Sequence, residues 1–541
     1  MACTPRPLPS SRGAPVLRVL NAAALVAGAL AALPAQANQS LSITGYGLTV
    51  GPVFNRSNLG SVAFNPANAV RLVGDDEKWR FGVGQVGGRY EIGDASDVAG
   101  MVDQVTADIE LAQTSDSASV AKTLATNINS VYVPALERGA VLSAQAQLSA
   151  GAPILFKSTE TLPGVWSFNL NAQLQMRGTF RGADVGVLTR FSAPGASFDG
   201  QAMQVSLVSL ADQLVTLQQA ISNANTLEAA AAQASALQSL LDAQFASLPQ
   251  ADKDLLGAVV DYTKAGNKVG ASFALRTSSA FDFKLAEVNQ ISAGYATDVS
   301  GWLSPTLREW APSAKLDAGL RVNVYQANLY RQVVAFVDES GNANEVEINR
   351  NDAYLKQATA LGLDLGLMWG DDHYQLGASL YNLNRPKFHY PNPAEDPNVA
   401  NRAAAMALSG QGKLNLRDTV ELKPHVVLEG SVFSQNKRWL LQGSVALSET
   451  NDFVGDPQKV YSVSASYNAE RFETAWQEWL VPSVRLGLRQ NMVGSKLSTI
   501  GLGFTWGVFS LDLNASTQRV KADGNQIPRS AGLSLAIAER F

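Results

Sequence analysis

From Trp166 to Arg181 apolar and polar side chains alternate without a break. The even positions read Trp166, Phe168, Leu170, Ala172, Leu174, Met176, Gly178 and Phe180. The odd positions read Ser167, Asn169, Asn171, Gln173, Gln175, Arg177, Thr179 and Arg181. Successive side chains of a strand point to opposite faces, so one face here is apolar and the other polar. A helix would scatter both sets around its circumference. The run is longer than the usual globular strand of about 3–10 residues. A tilted membrane strand of about 9–11 residues, continued into solvent, accounts for its length.

The same alternation recurs toward the C-terminus. Leu361, Leu363, Leu365, Leu367 and Trp369 alternate with Gly362, Asp364, Gly366 and Met368. The turn Gly370-Asp371-Asp372 follows, and then Tyr374, Leu376, Ala378 and Leu380 alternate with Gln375, Gly377, Ser379 and Tyr381, which is a hairpin pattern. Similar strands are expected around Trp439–Ser448, Ile500–Trp506 and Phe509–Ser516. Soluble sandwiches also alternate, with the apolar face inward, whereas a membrane barrel turns it outward. Number, length and termini therefore decide between them. The chain closes on Leu533-Ser534-Leu535-Ala536-Ile537-Ala538-Glu539-Arg540-Phe541, which resembles the C-terminal strand that the barrel assembly machinery reads, with Phe541 as the assembly signal and Glu539 as a departure. Trp79, Trp166, Trp369, Trp439 and Trp506 fall at or near strand ends, where barrels carry aromatic girdles. The expected fold is an all-β transmembrane barrel of about 14 antiparallel strands, within a range of about 12–16.

Two stretches break the two-residue period. Val98, Met101, Val102, Val105 and Ile109, continued by Val120, Leu124, Ile128 and Val131, predict helix over 96–137, ended by Pro134. Met203, Leu207, Leu210, Leu214, Leu217 and Ile221 form a short coiled-coil-like seam, and a second helical insertion is expected over 199–262. Both are expected to pack on each other or on the barrel. Strand parity leaves one choice open. If 139–148, 166–181 and 184–191 all span, the two insertions lie on opposite sides of the membrane; if 184–191 does not, they lie on the same side.

The N-terminus sets the compartment. Arg6, Arg12 and Arg18 precede an apolar run from Val19 to Leu33, and Ala35-Gln36-Ala37 fits a cleavage site, so residues 1–37 are read as a cleaved signal peptide. The apolar run falls short of the roughly 20 residues a spanning helix needs. The single cysteine, Cys3, lies inside this segment, so the mature chain is expected to hold no disulfide. Residues 38–77 are Gly- and Asn-rich and weakly periodic, and read as a plug within a barrel formed by 78–541. The expected location is the bacterial outer membrane, with lipid and the barrel assembly machinery as partners. A net charge of -5 without a basic cluster argues against nucleic acid.

Candidate chemistry is sparse. No phosphate loop, dinucleotide fingerprint or zinc-ligand pair appears, and no cofactor or metal is expected. The chain has 3 histidines. Only His425, on a polar strand face with Glu429, offers a base beside a carboxylate, and a lumen-lining ladder is the preferred reading of both. The other expected lumen residues are Asn169, Asn171, Gln173, Gln175, Arg177 and Arg181. The chain is not expected to be an enzyme.

Before the first strand stands Leu59-Gly60-Ser61-Val62-Ala63-Phe64-Asn65-Pro66-Ala67-Asn68. Pro fixes φ and Asn bonds the nearby backbone, so the tripeptide Asn65-Pro66-Ala67 makes a rigid turn. The same tripeptide recurs at Asn392-Pro393-Ala394, in a Pro-rich loop. The first copy resembles the hatch motif of the long-chain fatty acid transporter (FadL-like) superfamily, with Phe64, Asn65, Pro66 and Ala67 as the matching residues. More narrowly, the chain resembles the outer-membrane-type conjugal transfer protein TraF family, which combines a signal peptide, an early Phe-Asn-Pro-Ala, helical insertions and a barrel-like C-terminal half. An unrelated thioredoxin-like transfer protein shares that name and is excluded by the lack of a mature cysteine. The resemblance implies an accessory or structural component of plasmid conjugal transfer, with conjugation apparatus proteins as partners. The alternatives are a FadL-like channel for a hydrophobic ligand and a general porin, against which the plug-like N-terminus argues.

Overall fold

A computed structural model describes residues 45–53, 59–74, 77–82, 84–94, 98–114, 118–150, 153–159, 163–205, 250–265, 267, 269–338, 344, 350–468, 482–522 and 525–537. The expected signal peptide, most of the second insertion and Phe541 lie outside these residues.

The wall is a closed 14-strand antiparallel barrel. In chain order its strands are β1 (Trp79–Phe81, continued by Gly84–Ile92), β2 (Val141–Ala150, continued by Ile154–Lys157), β3 (Val165–Arg181), β4 (Ala280–Asp298), β5 (Lys315–Ala335), β6 (Leu355–Gly370) and β7 (Tyr374–Tyr381). Then come β8 (His425–Phe433), β9 (Trp439–Ala446), β10 (Val460–Tyr467), β11 (Ser483–Asn491), β12 (Ser498–Trp506), β13 (Phe509–Ser516) and β14 (Ser530–Ile537). Each pairs with its chain neighbour, and β14 returns to β1 with Gly84 opposite Ile537 and Glu91 opposite Ser530. Closure leaves no unpaired edge to face lipid. β1 and β2 are interrupted at one height, where Gly82 N–H donates to Pro153 O at 3.0 Å. Pro153 has no N–H to give to the ladder, so regular pairing breaks there.

The alternation becomes a radial division. Phe168, Leu170, Ile291, Leu320, Leu365, Leu376, Leu441, Leu486, Ile500 and Leu533 are exposed on the outside, while Asn169, Asn171, Gln173 and Gln175 are buried inside. Leu174 marks the top of the apolar band on β3. It is on the outward face yet only 6% exposed, against 40% for Leu170. The residue opposite it on β4 is Glu287, a charge that sits outside hydrocarbon.

One end of the barrel carries most of the short turns, such as 371–373, 434–438 and 507–508, and the opposite end the long connections 93–140, 182–279, 336–354 and 382–424. Aromatic pairs ring the short-turn end: Trp166 with Tyr295, Trp369 with Tyr374, and Trp439 with Tyr467, at 5.0, 5.4 and 5.0 Å between ring centres. The amphipathic rings suit the boundary between lipid and water.

The first insertion is helical in pieces: α1 (Val98–Thr114), α2 (Ala118–Asn127), a wide turn over Ile128–Tyr132 and α3 (Val133–Gly139). Pro134 does not stop the helix as expected. It lies at the start of α3, directly after the wide turn over Ile128–Tyr132, and the helical path continues through it. The second insertion differs from the expected helix at its N-terminal end and agrees with it at its C-terminal end. Ala202–Val205 is a strand paired with Gly186–Ser192, which also pairs with Gly270–Arg276, and α4 (Gln250–Lys264) is helical. Residues 186–192 therefore stand outside the wall, so both insertions lie at the long-loop end. There Val102, Val105, Ile109, Leu124, Ile128 and Leu136 pack with Val187, Phe273 and Leu275 into one apolar core. A helix α5 (Val399–Gly410) covers the same end through Ala404, Ala405 and Leu408 against Val333 and Ala335 of β5.

Candidate functional site

The lumen is filled from below by the N-terminal segment. Residues 45–53 lie against β9–β14. Gly45 N–H donates to Ser534 Oγ at 2.5 Å, Thr49 Oγ1 to Asp512 Oδ1 at 2.7 Å, and Tyr46 OH to Gln442 Oε1 at 3.2 Å. Residues 59–74 fill the other half. Asn65 is fully buried, and its Oδ1 accepts from Ala67 N–H at 3.0 Å, closing the rigid turn expected from sequence. Its Nδ2 donates outward from that turn, to Leu367 O at 3.0 Å and to Glu429 Oε1 at 2.9 Å. Ser379 Oγ donates to Phe64 O at 3.0 Å, as does Tyr381 OH. Arg71 Nε reaches Asp317 at 2.5 Å.

Small residues in the wall make room for this backbone. A Cβ on Gly366 would collide with Asn65 Oδ1 and stand 2.8 Å from Pro66 Cδ. A Cβ on Gly319 would stand 2.5 Å from Ala67 N, and one on Gly501 2.8 Å from Thr49 Cα. Only glycine lets a backbone approach a strand this closely. The sequence reading missed these seats, although glycines at inward positions such as Gly366 were the available signal.

β5 shows how the lumen is layered. From the short-turn end its inward residues are Asp317, Gly319, Arg321, Asn323, Tyr325, Ala327, Leu329 and Arg331. The lower ones hold the plug, and Arg321 donates to Val62 O at 3.0 Å and Ala63 O at 2.8 Å. Its Nη2 also pairs with Asp364 at 2.8 Å. That pair is buried, and its remaining hydrogen bonds are what make such burial tolerable. The upper residues meet the long loops. Tyr325 packs edge-on against Phe388 and Phe453, at 6.0 and 5.8 Å between ring centres. Tyr390 joins them and donates to Phe453 O at 2.8 Å. Arg331 pairs with Asp282 at 2.9 Å and donates to Asn415 O at 2.8 Å.

The β9–β10 loop, 447–459, enters the lumen between these layers. Phe453 N–H donates to Gln175 Oε1 at 2.9 Å, Gln145 Nε2 to Asp452 Oδ2 at 3.1 Å, and Arg177 pairs with Asp456 at 2.6 Å. Burial, reinforced by Asp456, pushes the Asp452 carboxyl up to about 7. Burial also raises Asp456, against the pull of Arg177. Burial and then Asp452 hold the Tyr390 hydroxyl well above its usual range.

Of the expected lumen residues, Asn169, Asn171, Gln173 and Gln175 are buried inside, and Arg177 and Arg181 are half-buried. His425 and Glu429 are both buried on the lumen face of β8, but four strand residues put them about 13 Å apart along the strand. Glu429 serves Asn65, while His425 stacks on Tyr381 at 4.7 Å. Their shared task is to back the plug turn, and the structure does not assemble them as a base and its orienter.

A family model described as "F plasmid transfer operon, TraF, protein" matches residues 62–445. The chain belongs to this family. The match begins within the plug and ends in β9, so it covers the Asn65 turn, its seats Gly319 and Gly366, and both insertions of this TraF-family chain. No curated relative matches it. Among solved structures it is similar to the Pseudomonas putida toluene transporter TodX, at 10% identity and a TM-score of 0.34, over 92% of this chain and 100% of that one. It is similar also to the TodX deltaS2S3 mutant monoaromatic hydrocarbon channel, at 10% identity and a TM-score of 0.35, over 92% and 100%. A third is the β domain of the Bordetella autotransporter BrkA, at 9% identity and a TM-score of 0.23, over 85% and 99%.

Proposed function

We propose that the protein is an outer-membrane component of plasmid conjugal transfer that acts as a docking element and not as an open pore. Short turns face the periplasm in bacterial barrels, which puts the cored subdomain of the two insertions outside the cell. The observation that carries the reading is the combination at one barrel: a lumen holding plug and loops, and an apolar-cored subdomain built onto its outer end through Phe180 of β3. A general porin needs neither. Such a subdomain offers a surface to other apparatus proteins, and the family's description, a protein of the F plasmid transfer operon, supports conjugation as the apparatus. His425 and Glu429 serve packing in this reading, and no catalytic step is assigned. The test is mating frequency from donor cells lacking the gene, complemented by the full chain or by a folded barrel with 98–139 replaced by a short turn. Full rescue by the first and none by the second supports docking. Equal rescue by both sinks it.

A second reading, a channel for hydrophobic small molecules, draws on one observation. Tyr325, Phe388, Tyr390 and Phe453 form an apolar cluster inside the lumen above the plug. Apolar walls with a few placed polar groups suit such ligands. Uptake of a radiolabelled aromatic hydrocarbon by cells with and without the protein tests it, and equal rates would remove it.

A further inference from the structure

β11 turns Arg485, Gly487, Arg489 and Asn491 into the lumen. Three of these are engaged. Arg485 pairs with Asp512 at 3.0 Å. Gly487 lies against Thr49 O of the plug. Asn491 accepts from Lys459 N–H at 2.9 Å and donates to Pro457 O at 3.1 Å, and so holds the β9–β10 loop. Arg489 lies between these levels, above the plug and below the loop.

Arg489 is only 7% exposed. Among the described residues its guanidinium has no ion pair and no hydrogen bond. The charge that acts on it is a like one, Arg89 of β1. Arg89 itself is held by Glu91 at 2.7 Å and by Ser530 Oγ at 3.0 Å. Opposite Arg489 on the adjoining strands are Ser462 and Thr499, small side chains carrying hydroxyls. A charge taken out of water without a partner is strongly unfavourable, and a neutral side chain of similar length would fill this place at less cost. The other buried arginines of the lumen, Arg321, Arg331 and Arg485, each face a carboxylate. Arg489 is the exception, one step along β11 above the plug contact at Gly487 and below the loop contact at Asn491.

We propose that Arg489 anchors an oxyanion-binding site in the lumen between the plug and the β9–β10 loop. The ligand group is a carboxylate or a phosphate, which a planar guanidinium meets with paired hydrogen bonds. Beside it the Ser462 hydroxyl, shared with Ser444 Oγ at 2.8 Å, can turn to the ligand, while that of Thr499 donates to Arg489 O at 3.4 Å. The site does not depend on the docking reading, and the outcome of a mating assay leaves it untouched.

The test is titration calorimetry on the folded full chain in nonionic detergent, with inorganic phosphate and with acetate, at an ionic strength held constant by chloride. Saturable binding of either oxyanion, at least tenfold weaker in Arg489→Gln and partly kept in Arg489→Lys, supports the site. Phosphate alone points to a phosphate-bearing ligand, acetate alone to a carboxylate, and both to their shared chemistry. No saturable heat with either, or unchanged binding in Arg489→Gln, overturns it. In oxyanion-free buffer Arg489→Gln is expected to unfold at the same or a higher denaturant concentration than the parent chain. A lower midpoint, or failure to fold, shows a guanidinium that the fold itself uses, and overturns the proposal as well.

Discussion

Gly366→Val separates the plug from the barrel. The new side chain enters the space of Asn65 Oδ1 and of the Pro66 ring, whose Cδ and Cγ lie 2.8 and 3.0 Å from the position of a Cβ. The wall strand is held on both sides by β5 and β7, so the plug turn yields and not the wall. Overpacking of this kind costs about 1–3 kcal/mol. The displaced turn also loses the bonds from Asn65 to Leu367 O and Glu429, the second with a charged partner, worth together roughly 2–4 kcal/mol. The sum, on the order of 3–7 kcal/mol, changes the docked population by roughly two to five powers of ten. The readout is trypsin cleavage after Arg71, which in the docked plug is sequestered against Asp317. Cleavage of a transiently opened segment tracks its open population. The variant is expected to stay heat-modifiable on a gel, as a closed barrel does, while Arg71 is cut at least a hundredfold faster. Gly88→Ala, where the nearest atom to a Cβ is 3.7 Å away, serves as control. A folded Gly366→Val barrel cut at the parent rate would refute the seat.

Leu170→Arg should block membrane assembly, at about 2–4 kcal/mol for a lipid-facing charge near mid-bilayer, while Leu174→Arg, opposite Glu287, should assemble; equal yields of folded band would contradict the band limits. Arg321→Met should destabilise the folded barrel by about 3–5 kcal/mol in urea titration, because it leaves Asp364 buried without its partner; Arg321→Met with Asp364→Leu should recover much of the loss. Docking of the β9–β10 loop should weaken as pH rises. The Asp452 carboxyl is raised from 3.8 to about 7 in the folded loop, so the docked loop holds its proton more tightly than the free one. The stabilisation is present below the ordinary carboxyl range and is lost as pH climbs through about 7. Hydrogen exchange of 447–459, corrected for its intrinsic pH dependence, reads this, and a slope that survives Asp452→Asn would show that another group titrates.

What the sequence determined is local and periodic. Side chains alternate on a strand whatever surrounds it, so Trp166–Arg181 could be read as one strand with a wet and a dry face. The two Asn-Pro-Ala tripeptides make the point at single-residue scale. Asn65 accepts from Ala67 N–H at 3.0 Å and Asn392 from Ala394 N–H at 3.1 Å, the same capped turn made twice by the same residues. The tertiary structure alone decided what each turn does. The spare amide of Asn392 stays at home, on Glu395, while that of Asn65 crosses to Leu367 and Glu429. Long-range partners also decided that 186–192 leaves the wall, since its apolar positions serve a small sheet as well as they would a spanning strand. They decided that Leu174 is covered and Leu170 bare on one face of one strand. They placed glycines that look interchangeable in sequence beneath the plug backbone. Period and turn chemistry act over a few neighbouring residues and so can be read along the chain. Register, depth in the membrane and closeness of backbones depend on residues hundreds of positions apart, and only the closed barrel brings those together.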